Sequence, residues 1–154
     1  MAILPQILQG RILIIDDNPS NVLLLERMLK EGGFTSVHSL NDSEQALATV
    51  RELLPDLVLL DLHMPGKDGY EVIQQLRDEG QKQDDHEGYL PILVLTADIT
   101  TGAKNKALAM GAKDFLAKPF DVVEVLLRVR NLLETRFLYQ KLSDSLQDCL
   151  TDNE

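Results

Sequence analysis

The chain has 154 residues, 44% hydrophobic and 26% charged, enough for one globular domain with a substantial core. Twenty-five acidic against fifteen basic residues leave a net charge of −10, a field that repels nucleic-acid phosphates and anionic lipid and argues against direct binding to either. No apolar run approaches the roughly 18–20 residues of a membrane span, residues 1–8 lack a secretory signal's basic start and cleavage site, and the single cysteine, Cys149, suits a reducing cytoplasm.

Residues 1–10 read as a short arm. A first aliphatic run, Arg11-Ile12-Leu13-Ile14-Ile15, ends at Asp16-Asp17. Asn18-Pro19 then has the form of a helix cap followed by proline at the first helical position. Val22, Leu25 and Leu29 fall on one face of that helix, and Gly32-Gly33 stops it. A weaker run, Val37-His38-Ser39-Leu40, precedes a helix capped by Asn41 or Ser43. Its buried stripe is expected to be Ala46, Leu47, Val50 and Leu54, with Pro55 as terminator. The third run, Asp56-Leu57-Val58-Leu59-Leu60, ends at Asp61. A helix starting near Asp68-Gly69 carries Val72, Ile73 and Leu76. Residues 78–90, polar and acidic, read as a solvated loop. Ile92-Leu93-Val94-Leu95 ends at Thr96. An alanine-rich helix spans about Thr101 to Met110 and stops at Gly111. The short run Asp114-Phe115-Leu116-Ala117 ends at Lys118, and the last helix follows Pro119.

Runs one, three and four are apolar throughout rather than alternating, as in strands covered by helices on both faces. Five alternations of strand and helix therefore predict an α/β fold. The expected form is a five-stranded parallel sheet, doubly wound and flavodoxin-like, with strand order 2-1-3-4-5 and an extended C-terminal helix. In such sheets the ligand crevice lies outside the carboxyl ends of the strands. Asp16, Asp17, Asp61, Thr96 and Lys118 all occupy those ends.

With the first strand central, these ends converge on one cleft. Three close carboxylates repel unless a cation joins them, and an all-oxygen donor set suits Mg²⁺. Asp61, at the end of a rigid apolar strand, is the best-placed nucleophile. Lys118 would neutralise a transferred phosphoryl group, and the Thr96 hydroxyl would hydrogen-bond one of its oxygens. Each residue alone has an ordinary reading: a helix cap for Asp17, a turn former for Asp61, a strand end for Thr96, a surface lysine for Lys118. Their co-occurrence at separate strand ends outweighs these. His38 and His86 lie elsewhere in the sequence and are not read as metal ligands.

From about Arg11 to Arg130 the chain resembles the receiver domain of bacterial two-component response regulators. The matching residues are Ile14-Ile15-Asp16-Asp17-Asn18, the run from Asp56 to Gly69, Val94-Leu95-Thr96-Ala97 and Ala117-Lys118-Pro119-Phe120. The resemblance implies that Asp61 accepts a phosphoryl group from a sensor histidine kinase or phosphotransfer protein. It also implies that Asp16, Asp17, Asp61 and the backbone carbonyl of His63 help bind Mg²⁺. Thr96 and Phe115 would form the switch and Lys118 would pair with the phosphoryl group, after a cis Lys118-Pro119 peptide. Many relatives have tyrosine where this chain has Phe115, which lacks the hydroxyl. His63 and Asp98, two positions after Asp61 and Thr96, are expected to tune the phosphoryl lifetime. Such a domain is a phosphoacceptor rather than an enzyme, catalysing only its own phosphorylation and dephosphorylation. An aspartyl-nucleophile phosphatase of the haloacid-dehalogenase type would need an aspartate where His63 stands, and the complete set of five polar residues argues against a receiver-like binding domain without phosphotransfer.

The last helix runs in pattern from Val122 to about Leu150. Val125, Leu132, Tyr139 and Leu146 recur every seven residues, while the alternate core position is ragged: Val129 and Leu150 fit one register, Leu142 and Cys149 another. The expectation is a marginal coiled coil, with residues 11–130 as the receiver and 131–154 as a helical extension that pairs two copies of the chain. The segment from Leu126 to Arg136 is similar to linker helices that join receivers to cyclic-dinucleotide phosphodiesterase (HD-GYP) domains. An effector domain outside these residues and a stand-alone regulator both stay open.

Overall fold

The computed structural model describes residues 3–64, 68–82, 90–98 and 100–152. Its strands are β1 (Arg11–Ile15), β2 (Ser36–Leu40), β3 (Leu57–Asp61), β4 (Ile92–Thr96) and β5 (Asp114–Ala117). All pair in parallel, in the spatial order β2-β1-β3-β4-β5 anticipated from the sequence. The helices are α1 (Ile3–Leu8), α2 (Pro19–Glu31), α3 (Ala46–Leu53), α4 (Gly69–Lys82), α5 (Thr101–Met110) and α6 (Val122–Asp152).

Because successive strand side chains point to opposite faces, the sheet has two cores. Ile12, Ile14, Leu57, Leu59, Leu93 and Leu95 pack with α2 and α6 through Leu25, Leu29, Val125, Val129 and Leu133. Leu13, Ile15, Val58, Leu60, Ile92 and Val94 pack with α3, α4 and α5 through Ala46, Val72, Ile73, Leu76 and Ala107. Each fully buried aliphatic side chain stabilises the fold by roughly 1.5–3 kcal/mol relative to exposure. Strands buried on both faces can therefore hold the residues that follow them rigidly.

Helix boundaries follow local chemistry. Asn18 accepts hydrogen bonds from the Ser20 and Asn21 N–H groups, with Pro19 at the first helical position. Thr100 accepts from Ala103 N–H to start α5, and Gly111 ends it at φ +120°, where any other residue is strained.

Three expectations need correcting. Neither Asn41 nor Ser43 is the cap before α3: Asp42 accepts from Glu44 N–H and opens a 3₁₀ turn over Ser43–Gln45, while Ser43 itself is buried. Leu54 is not in the buried stripe. Pro55 disfavours helical geometry at the residue before it, so Leu54 forms a left-handed cap at φ 53° and is 63% exposed. The segment read as a loop from residue 78 begins as helix, since α4 continues to Lys82. Gln74 donates to Asp78 at 3.0 Å and Arg51 makes a two-pronged pair with Glu79 at 2.9 and 2.8 Å, which extends the helix. The rest of that segment, 83–89, including His86, lies outside the described residues.

The amino-terminal arm is part of the body. Its α1 buries Ile7 in the first core and packs on α6, and Leu8 C=O accepts from Thr35 N–H at 3.1 Å. The Cβ of any residue replacing Gly10 would meet a Leu133 methyl at 3.1 Å, so arm and α6 fit closely. Six helical residues are too few for a periodic signal in sequence.

The first half of α6 covers the sheet as far as Arg136 and Phe137. This 7%-exposed guanidinium bonds Asp56 Oδ1 at 3.1 Å, at the amino end of β3. Asp56 Oδ2 in turn accepts Arg11 N–H at 2.9 Å. Beyond this clasp Leu138, Tyr139, Leu142 and Leu146 are exposed. The sevenfold series is thus divided: Val125 is buried and Leu132 partly so, whereas Tyr139 and Leu146 face solvent. Replacing Arg136 by alanine leaves Asp56 without its cation, and a loss of about 2–3 kcal/mol in urea unfolding is expected. Asp56→Ala combined with Arg136→Ala should cost less than the sum of the two single changes, because they remove one interaction.

Candidate functional site

The site stands where β1, β3, β4 and β5 end. Asp16 follows β1 and is fully buried; Asp17, next in the chain, is exposed. Asp61 closes β3 and is 3% exposed. Carboxylate oxygens of Asp16, Asp17 and Asp61 lie within 4.8 Å of one another. Thr96 closes β4, and Thr96 C=O accepts Lys118 N–H at 2.9 Å, which extends the ladder and brings the lysine alongside. Lys118 Nζ stands 3.3 Å from Asp61 Oδ1 and 4.0 Å from Asp16 Oδ2. The Lys118-Pro119 peptide is cis, as the resemblance implied.

Backbone donors orient the carboxylates. Asp16 Oδ1 accepts Asn18 N–H at 2.9 Å and Asp61 Oδ1 accepts His63 N–H at 3.2 Å. Asp16 Oδ2, buried, has no hydrogen-bond partner among the described residues. Burial pushes the Asp16 carboxyl above its usual range; the Asn18 N–H opposes this, while the charge of Asp61 adds to it. An unpaired buried oxygen among three carboxylates, with one ammonium among the described residues to balance them, fits a hard divalent cation such as Mg²⁺.

The rim is polar. The Thr96 hydroxyl accepts Asp98 N–H at 2.9 Å and lies 3.3 Å from Asp98 C=O, so it is engaged by the loop backbone. Asp98 Oδ1 accepts Thr100 N–H at 3.0 Å, and this hydrogen bonding holds its carboxyl below the ordinary value, with a smaller contribution from the nearby His63. His63 is exposed and Phe115 partly buried at the edge of the second core. Gly69 is required by close approach: a Cβ there would sit 2.5 Å from Leu62 Cα and 2.7 Å from Asp61 C=O. Asp16, Asp17, Asp61 and Lys118 come together at these strand ends, Thr96 closes the adjacent strand with Asp98 beside it, and Phe115 lies back along β5 against the second core. Two contacts were not anticipated: Lys104 over the Phe115 ring and Lys106 over the Tyr70 ring. Both join residues of different elements, and no spacing in sequence signals them.

Residues 12–130 match the model of the response regulator receiver domain. The chain belongs to the response regulator receiver family. Response regulator PleD of Caulobacter vibrioides is 37% identical over 135 residues, covering 88% of this chain and 28% of that protein. The DNA-binding response regulator MtrA of Mycolicibacterium smegmatis is 42% identical over 124 residues, covering 80% of this chain and 50% of that protein. The chain thus spans half or less of the length of these relatives. Among solved structures, a putative response regulator from Chloroflexus aurantiacus has a TM-score of 0.73 at 36% identity, covering 82% of this chain and 98% of that one. A putative two-component response regulator/GGDEF domain protein has a TM-score of 0.74 at 28% identity, covering 86% and 52%. The receiver is a signalling domain.

The raised Asp16 carboxyl sets a sign for stability. A folded-state value above the unfolded one means that the native protein binds the proton more tightly. Stability then falls as pH rises from the unfolded value of 3.8 through the raised folded one, and the penalty persists at neutral pH. In chelator, Asp16→Asn should therefore raise the melting temperature, as read by calorimetry. If Mg²⁺ is added, any further rise seen in the unsubstituted protein should be absent from Asp16→Asn.

Proposed function

We propose that the chain is a phosphorylatable switch in which Asp61 receives a phosphoryl group from a histidine kinase or phosphotransfer protein. The observation that supports this most directly is the carboxylate cluster facing Lys118, 3.3 Å from Asp61. In the reaction an Asp61 carboxylate oxygen attacks phosphorus, the phosphorus–nitrogen bond to the donor imidazole breaks, and an aspartyl phosphate results. Asp16, Asp17, Asp61 and the backbone carbonyl of His63 would hold Mg²⁺, which supplies neutralising charge for the phosphoryl oxygens. Lys118 binds one of those oxygens and the Thr96 hydroxyl another, after leaving the Asp98 backbone.

The response is a population shift. As Thr96 moves toward the phosphoryl group, Phe115 turns inward behind it, altering the face made by α5, β5 and α6. Phe115 has no hydroxyl, so this change proceeds by packing. His63 and Asp98, close enough to interact electrostatically, would control access of a hydrolytic water and so the lifetime of the adduct. The exposed Leu138, Tyr139, Leu142 and Leu146 on α6 pair two copies into a homodimer. Among the described residues no helix is long and apolar enough to cross a membrane, and the donor chemistry places the protein's work in the cytoplasm. MtrA is DNA-binding as a whole protein; the acidic charge of this chain does not suit it for that contact.

Intact mass after incubation with acetyl phosphate is the decisive measurement. One phosphoryl adduct is expected with Mg²⁺, none in chelator, and none on Asp61→Asn. An unmodified wild-type chain, under conditions that label another receiver, would overturn the reading. Followed over time, the adduct on His63→Ala/Asp98→Ala should decay at a changed rate; an unaltered half-life removes those two residues from the account. For the helix, Leu142→Asp/Leu146→Asp is expected to sediment as a monomer where the unsubstituted chain sediments as a dimer, and a monomeric parent chain refutes the pairing.

A further inference from the structure

Of the helix α5, Ala107 is buried and Met110 partly buried against the second core, while Leu108 is 42% exposed. Lysines reach aromatic rings on two neighbouring elements. Lys106 Nζ lies 4.0 Å from the centre of the Tyr70 ring on α4, and Lys104 Nζ lies 4.5 Å from the centre of the Phe115 ring on β5. Both fall within the roughly 6 Å over which a cation is drawn to a ring face. Lys104 is itself partly buried, and lowered hydration strengthens such a contact.

Phe115 pairs with Val94 in the β4–β5 register, two residues before Thr96. Its ring is partly exposed at the margin of the second core, and the Thr96 hydroxyl is held by the Asp98 backbone. With no hydroxyl on this aromatic, hydrogen bonding cannot hold the ring where it lies. A cation over its face can.

We propose that Lys104 is a positioning residue for the switch: its ammonium holds the Phe115 ring in the place seen here and thereby slows phosphorylation of Asp61. The proposal rests on the reading of Thr96 and Phe115 given above. Its physical content is a differential interaction. The ring offers its face to Lys104 in this position and withdraws it on turning inward, and only a contact that differs between two states shifts their populations. Removing the cation while keeping an apolar stem of similar length should release the ring without disturbing the packing of α5.

The test compares Lys104→Met, Lys104→Arg and Lys30→Met, the last making the same charge change on α2. Initial phosphorylation by acetyl phosphate in Mg²⁺ is measured for each, with the aromatic ¹³C resonance of Phe115 before and after addition of beryllium fluoride. Phe115→Leu assigns the resonance. Lys104→Met is expected to raise the rate about two- to fivefold, the Boltzmann factor of a partly exposed cation–π contact. The resting Phe115 resonance should move toward its beryllium-fluoride position. Lys104→Arg and Lys30→Met should behave as the unsubstituted chain, and Lys104→Met should have no effect on a Phe115→Leu background. A rate and resonance unchanged by Lys104→Met, while Asp61 is still phosphorylated, overturns the proposal alone. An equal rise on the Phe115→Leu background overturns it too, because the lysine would then act on the anionic donor. Absence of any adduct on the unsubstituted chain removes the Asp61 reading and the proposal together.

Discussion

Three carboxylates whose oxygens lie within 4.8 Å of one another, faced by Lys118, impose the constraint around which this end of the sheet is organised. At an effective dielectric near 20, two like charges 4 Å apart repel by about 4 kcal/mol. One hydrogen bond to a charged group recovers about 1.5–3 kcal/mol. The N–H groups of Asn18 and His63 therefore ease the cluster without neutralising it. The carboxylates also have little freedom to separate, because Ile14, Ile15, Leu59 and Leu60, which precede them, are completely buried. Charge is better answered by added cations than by rearrangement, which is the physical ground for the divalent ion and phosphoryl group proposed above.

Around this fixed centre the structure grades from rigid to adjustable. β1 and β3 are central, fully covered strands, and Gly69 brings the start of α4 against the Leu62 backbone with no room for a side chain. On the other side, the Thr96 hydroxyl has a competing partner in the Asp98 backbone, β5 is an edge strand, and α5 buries Ala107 fully and Met110 in part. The side of the sheet that carries Thr96 and Phe115 thus combines a buried strand, β4, with an edge strand and a helix that has one fully buried residue. Local stability is low where a switch needs two arrangements of similar energy.

Much of this was legible in the sequence because its causes are local or periodic. Fully apolar runs announced covered strands, Asn18-Pro19 announced a helix start, and polar residues after four runs announced the cleft. The departures have causes that a linear reading weighs poorly. At Leu54 the apolar period pointed inward, but the following proline stopped the helix. Past residue 78 polar composition suggested a loop, whereas Arg51, distant in sequence, pairs with Glu79 and favours continued helix. Ile7 looked peripheral, although it completes the core beside α6. The sevenfold pattern from Val125 to Leu146 concealed a change of environment, since Val125 is buried while Tyr139 and Leu146 are exposed. The lysine contacts with Tyr70 and Phe115 are purely tertiary.

The clasp between Arg136 and Asp56 has a mechanical consequence. It fastens α6 to the amino edge of the sheet, opposite the cleft, and the helix then continues unbroken to Asp152. The fifteen residues past Phe137 extend about 22 Å at 1.5 Å per residue. With the clasp as fulcrum, each degree by which the cleft end tilts the helix swings its far end through about 0.4 Å, so a tilt of about ten degrees becomes a displacement near 4 Å. A stiff rod pivoted in this way converts angular movement at the body into travel at a distance, and its gain is set by the number of residues beyond the pivot.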